Sequence, residues 1–110
     1  MPKKEFFVEG SKDFMKVYES LPRTSQLKKD IDNAISELKK DPLKGERIQQ
    51  QLWPKEYVKK YGINNLFRYR LGGGYRLTYT IVGRPNGTTS VLLDALTHKE
   101  YDKLFGYSTS

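Results

Sequence analysis

Leu66-Phe67-Arg68-Tyr69-Arg70-Leu71-Gly72-Gly73-Gly74-Tyr75-Arg76-Leu77-Thr78-Tyr79-Thr80-Ile81-Val82 decides how the rest of the chain is read. Apolar and polar residues alternate on both sides of three glycines, the period of two that marks a half-buried strand. Glycine adopts the positive φ of a tight turn without strain, so the stretch predicts a hairpin of Leu66 to Leu71 and Tyr75 to Val82. Phe67, Tyr69 and Leu71 fall on one side of the first strand, Arg68 and Arg70 on the other. In the second, Tyr75, Leu77, Tyr79 and Ile81 part from Arg76, Thr78 and Thr80. The apolar sets are expected to cover helices, and the polar sets to face outward.

Arg84-Pro85-Asn86-Gly87 is a second turn signal, leading into a strand over Ser90 to Thr97 and completing an antiparallel meander. In that strand Val91, Leu93 and Ala95 oppose Leu92, Asp94, Leu96 and His98, which leaves both sides partly apolar and the register open. His98 to Phe105 reads as a final short helix, and Ser108 to Ser110 as a frayed end. Upstream, Glu5 to Glu9 reads as a first strand, followed by a turn and N-cap at Gly10-Ser11. Phe14, Val17, Tyr18 and Leu21 form a helical stripe ended by Pro22. Thr24 or Ser25 caps a second helix with stripe Leu27, Ile31, Ala34, Ile35 and Leu38; Lys39-Lys40 complement its dipole. Residues 43 to 64 lack a sustained period and read as a long loop or a broken short helix, of a length that often carries function. The order predicts an α+β fold, an N-terminal strand and helical hairpin packed on an antiparallel sheet with a short C-terminal helix. A chain of 110 residues fits one domain, 1–110, with a single two-layer core.

Composition narrows the chemistry. With no cysteine and one histidine there is no disulfide framework and no metal-ligand cluster, so no metal or cofactor is expected. No nucleophile motif supports Ser-His-Asp catalysis, and Gly72-Gly73-Gly74 lies between strands rather than before a helix, so it is a turn and not a phosphate loop. The N-terminus lacks a signal peptide's apolar stretch, and no run approaches the ~18 apolar residues of a membrane span, so a soluble cytoplasmic protein is expected. The net charge is +7, and its distribution says more than its total. Residues 39 to 84 hold eleven basic and three acidic side chains, a surplus of eight, and the remainder nearly balances. Such a block favours a polyanionic partner.

Arg68, Arg70 and Arg76 are placed by alternation on one sheet face. The plainer reading is a solvated face with Asp94 as an internal salt-bridge partner. The sharper one is a phosphate site: adjacent guanidiniums repel one another, an anion relieves this, and their forks match phosphate oxygens in pairs.

Phe67-Arg68-Tyr69-Arg70, a glycine turn, Tyr75-Arg76-Leu77-Thr78-Tyr79, and an apolar strand ending near His98 and Tyr101 together resemble the RelE/ParE superfamily of toxins from toxin-antitoxin pairs. Asp41-Pro42-Leu43-Lys44-Gly45 is similar to the Pro-Leu-Lys segment of its YoeB-like members. The resemblance implies a RelE-like toxin domain and, in the RNA-cleaving branch, a metal-independent endoribonuclease, an mRNA interferase that halts translation. Such toxins cut mRNA in the ribosomal A site by attack of the substrate's own 2′-hydroxyl. It implies that Arg76 stabilises the transition-state phosphate, that Arg70 and Arg68 are basic residues of the neighbouring strand, and that Lys44 contacts RNA. Asp41 stands where YoeB-like members have a glutamate, and Tyr101 where a C-terminal tyrosine stacks on the base or assists proton transfer. The histidine expected before that tyrosine is Glu100, and His98 lies two residues earlier. The general base is therefore open between His98, Glu100 and Asp41, while Lys99 and Lys103 offer phosphate contacts. The implied partners are mRNA, the ribosome and a small acidic antitoxin; a homodimer and a toxin-antitoxin hetero-oligomer both stay open. Two alternatives share the fold: a ParE-like toxin that poisons DNA gyrase, and a non-enzymatic RNA-binding module.

Overall fold

The computed structural model describes residues 5–106. The start Met1-Pro2-Lys3-Lys4 and the frayed end expected at Ser108 to Ser110 lie outside the described residues. Strand β1 (Phe6–Gly10) leads into α1 (Lys12–Ser20) and α2 (Gln26–Lys40). Ser11 caps α1 and Ser25 caps α2, each hydroxyl accepting from an amide three residues on, and Pro22 separates the two helices. A single 3-10 turn, Pro42–Lys44, precedes the two-residue strand β2 (Glu46–Arg47). Beyond a second short turn come α3 (Lys55–Tyr61), β3 (Phe67–Arg70), β4 (Arg76–Arg84), β5 (Gly87–Leu96) and α4 (His98–Phe105).

The five strands run in the order β1-β5-β4-β3-β2. All neighbours are antiparallel except β1, which lies parallel to β5. The hairpin read around the glycines is present: Gly73 and Gly74 take positive φ of 69° and 79°, which a side chain would oppose. No helix among the described residues is long and apolar enough to cross a membrane.

One sheet face carries the expected core. Phe67, Leu71, Leu77, Tyr79, Leu92 and Ala95 pack on Phe14, Ile31, Ala34 and Leu38 of the helical hairpin. The other face corrects two expectations. Thr78 and Thr80 do not point to solvent; they are 0% and 6% exposed. The core is not a single two-layer one, because Ile48, Tyr57, Ile63, Leu66 and Leu93 form a second cluster, joined by Trp53, Tyr61, Leu104 and Phe105. The stretch read as loop thus folds back over the sheet. Its α3 begins after Pro54, has Glu56 in its first turn and Lys59 and Lys60 in its last, and ends at Gly62 with φ 57°. These are ordinary helix boundary signals, hidden from a periodicity search because the helix has only two turns.

A β-bulge settles the register left open in β5. Thr78 pairs with Asp94 but Tyr79 with Leu92, so Leu93 is the extra residue. Leu92 and Ala95 therefore reach one core and Leu93 the other. Ser11 holds the bulge in place: its amide donates to the Leu92 carbonyl at 2.8 Å and its hydroxyl to that of Leu93 at 2.8 Å.

Candidate functional site

The second layer covers only part of its sheet face, and the arginines stand where it ends. Register places Glu46 opposite Arg68, Arg68 opposite Thr78 and Thr78 opposite Asp94 in one row. Arg70 and Arg76 face one another in the next row. Like charges directly opposed on neighbouring strands are destabilising unless an anion or solvent compensates.

The three arginines differ in surroundings. Arg68 is the most enclosed: Nη1 donates to the Tyr101 hydroxyl at 2.9 Å, Nη2 to Glu46 Oε2 at 3.4 Å, and its buried Nε has no partner among the described residues. Arg70 is exposed and donates from Nε to Glu46 Oε1 at 2.9 Å. The two guanidiniums hold the Glu46 carboxyl below its usual range, with Arg70 the larger influence. Arg76 donates from Nη1 to the backbone carbonyls of Gly74 and Tyr75, at 3.1 and 3.4 Å. Among the described residues no carboxylate lies within ion-pair distance of it.

Helix α4 supplies the next group. Tyr101 is 2% exposed, stacks on Phe105 at 4.2 Å, and has the Arg68 and Arg76 guanidinium carbons each 5.9 Å from its ring centre. The ring is thus covered by protein side chains, and its hydroxyl braces Arg68. His98 is exposed at the first position of α4, beside the glycine turn, where a Cβ on Gly74 would come within 3.7 Å of its own. Its Nε2 lies 3.2 Å from the Asp102 carboxylate, one helical turn on. The Glu100 carboxylate accepts the Thr97 amide at 2.8 Å in a capping box. Lys99 and Lys103 are exposed on the same helix.

Tyr79, buried in the sheet, anchors the remaining candidates. Its hydroxyl donates to the Pro42 carbonyl at 2.7 Å and accepts the Gly45 amide at 3.0 Å, and burial pushes its pKa up to about 12, so it stays protonated. The approach requires glycine: a Cβ on residue 45 would stand 2.5 Å from the Arg68 carbonyl oxygen. Asp41 is exposed and caps the Pro42–Lys44 turn through the Leu43 amide at 2.9 Å. Lys44 and Glu46 thereby come to the rim of a cleft of about 260 Å³ that Gly45, Arg68, Tyr69 and Arg70 complete. Lys44 Nζ is 3.7 Å from Glu37.

Asp94 corrects the plainer reading of the sheet face. It pairs with none of the arginines; Tyr57 donates to it at 2.6 Å and also meets Thr78 at 2.9 Å. Burial raises its pKa, partly offset by that hydrogen bond. A raised folded-state pKa means that the group stabilises the fold below the ordinary aspartate range, near pH ~4, and loses this as pH rises through the folded value. Urea unfolding of Asp94→Asn against wild type should therefore show a stability difference that grows in the variant's favour from about pH 4 upward and then levels. A difference flat across that range would mean that Asp94 is not desolvated.

Site reading from residues alone brought together Arg68, Arg70, Arg76 and Tyr101 but missed Glu46 and Asp102. The His98–Asp102 spacing of four on a predicted helix was the available signal for the second; the first depends on a two-residue edge strand with no pattern. Among the described residues no group of three His, Asp or Glu side chains is placed to hold a metal ion.

No family model matches the chain, and no curated protein matches it. Among solved structures, a YoeB/ParE toxin from Agrobacterium tumefaciens superposes with a TM-score of 0.61 at 16% identity, over 84% of this chain and 98% of that one. The likeness is one of fold, and the chain has a RelE/ParE-type toxin fold.

Proposed function

We propose, from the fold shared with a YoeB/ParE toxin and from the open arginine row at the sheet end, that this chain is the toxin of a toxin-antitoxin pair that cuts mRNA on the ribosome. The observation that carries the reading is Arg76: its guanidinium is fixed by neutral carbonyls and directly opposes Arg70. An unneutralised, preorganised donor suits a phosphate whose nonbridging oxygens gain charge as the 2′-hydroxyl attacks. Arg70 and Lys44 position the backbone, and Arg68 does so from its bracket on Tyr101.

Of the three groups considered for the base, all of them exposed, Glu100 and Asp41 accept backbone amides in caps, whereas His98 Nε2 lies by the Asp102 carboxylate. That separation is 3.2 Å, so Nδ1 is the nitrogen that takes the 2′-hydroxyl proton, and Asp102 steadies the resulting imidazolium. The partner that silences the toxin is a small acidic protein covering the basic face.

The test is end-mapping of mRNA on translating ribosomes with the purified protein. Cuts leaving a 2′,3′-cyclic phosphate and a 5′-hydroxyl are expected, with free RNA cut poorly because the ribosome aligns the attack. Binding should weaken with salt at a slope of about −0.7 per single-strand phosphate contact. Gyrase-dependent DNA breaks without RNA cleavage would overturn the reading in favour of gyrase poisoning.

A further inference from the structure

Glu46 is the group that the proposed mechanism leaves unused. Its position opposite Arg68 puts its carboxylate on the arginine face, with one oxygen on Arg70 and the other on Arg68. Two oxygens shared between two guanidiniums is the arrangement in which a phosphodiester presents its nonbridging oxygens. We propose that Glu46 is an internal stand-in for phosphate, held in the oxyanion seat of Arg68 and Arg70 until a phosphate group of RNA displaces it. The identity of the displacing anion rests on the RNA reading above; the seat does not.

The seat is only partly satisfied by its resident. The contact to Arg68 is long, 3.4 Å, and Arg68 Nε is buried with no partner among the described residues, so the enclosed guanidinium retains donor capacity. Glu46 and Arg70 side chains are 51% and 63% exposed. Ion pairs in such positions are weak, so displacing the carboxylate lowers anion affinity by no more than about fivefold. Lys44 on the rim is likewise held only by the partly exposed Glu37 at 3.7 Å. The three cations of the cleft, Lys44, Arg68 and Arg70, thus pair with weakly bound acids of the chain itself. This arrangement relieves repulsion on the arginine face, which includes the opposed Arg70 and Arg76. It also raises the threshold for anions: only a ligand that contacts several cations at once displaces Glu46.

The experiment compares wild type, Glu46→Gln, Arg70→Ala, the double variant, and Glu56→Gln as an exposed carboxylate outside this cleft. Calorimetric titration with inorganic pyrophosphate and with a short single-stranded RNA gives the affinities. Glu46→Gln keeps the side chain's size and removes its charge, so both probes should bind it a few-fold, up to about fivefold, more tightly than wild type. Its RNA salt slope should steepen by about 0.7, one further counterion-releasing contact. The gain should vanish in the Arg70→Ala background and be absent from Glu56→Gln. Unchanged or weaker binding of both probes by Glu46→Gln, or an equal gain from Glu56→Gln, overturns the proposal. A gain for pyrophosphate with no RNA binding by any variant upholds the seat and sinks the RNA reading. RNA binding and cleavage by wild type with no gain from Glu46→Gln does the reverse.

Discussion

Arg76→Ala is expected to slow single-turnover cleavage of ribosome-bound mRNA by on the order of 10² to 10³, with a much smaller loss of ribosome affinity. The guanidinium is fixed by two backbone carbonyls rather than by a carboxylate, so it enters the reaction with its charge and donors available. Its interaction strengthens as negative charge builds on the phosphate, and a contact stronger in the transition state than in the bound substrate shows in the rate. Arg76 is partly exposed, so its removal leaves no buried charge behind and thermal unfolding should change little. Lys44→Ala and Arg70→Ala, at the cleft beside it, should show the opposite balance, with affinity falling more than rate. Cleavage by a folded Arg76→Ala protein at the wild-type rate would remove this face from the chemistry.

Tyr101→Ala is expected to destabilise the protein by about 3–5 kcal/mol, a large share of the ~5–15 kcal/mol that holds a small domain together. The ring is 2% exposed and closes an aromatic row: it stacks on Phe105, which meets Tyr57 edge-on at 6.4 Å, and Tyr57 meets Tyr61 at 5.7 Å. Alanine would open a cavity beneath Arg68 that the sheet cannot collapse to fill. Tyr101→Phe keeps the row and removes the acceptor of Arg68 Nη1, at a cost of about 1 kcal/mol. As a positioning residue, Tyr101 should then show a few-fold loss of RNA affinity that is not additive with Arg68→Ala. A large rate loss at unchanged affinity would place the hydroxyl in proton transfer instead. Urea unfolding and RNA titration of the two variants separate these outcomes.

The arginine row was legible because a strand's period of two is rigid: once Phe67, Tyr69, Leu77 and Tyr79 are core, Arg68, Arg70 and Arg76 must share the opposite face. Tyr101 was legible as a residue of the last helix but its burial was not, since a helix position says nothing of what lies above it. The ring stacks on Phe105, which in turn meets Tyr57 of another helix, and its hydroxyl holds Arg68 of β3. Glu46 could not be found by pattern, because β2 has two residues and takes its register from β3 alone.

Local signals by themselves determined the helical hairpin, the three-strand meander, its glycine turn and the final capped helix. Each is set by interactions within a few residues: alternation, caps, and the φ that glycine allows. Only the tertiary structure decided the parallel pairing of β1 with β5, the bulge at Leu93 and the second layer under Tyr57 and Phe105. These rest on contacts between distant segments, such as Ser11 with Leu93, and their free energy appears only when both partners are already placed. The same holds for the charge of the candidate site. The chain's basic surplus is written in its residues, but which arginine is neutralised by Glu46, which is braced by Tyr101 and which is held by backbone carbonyls depends on register and packing.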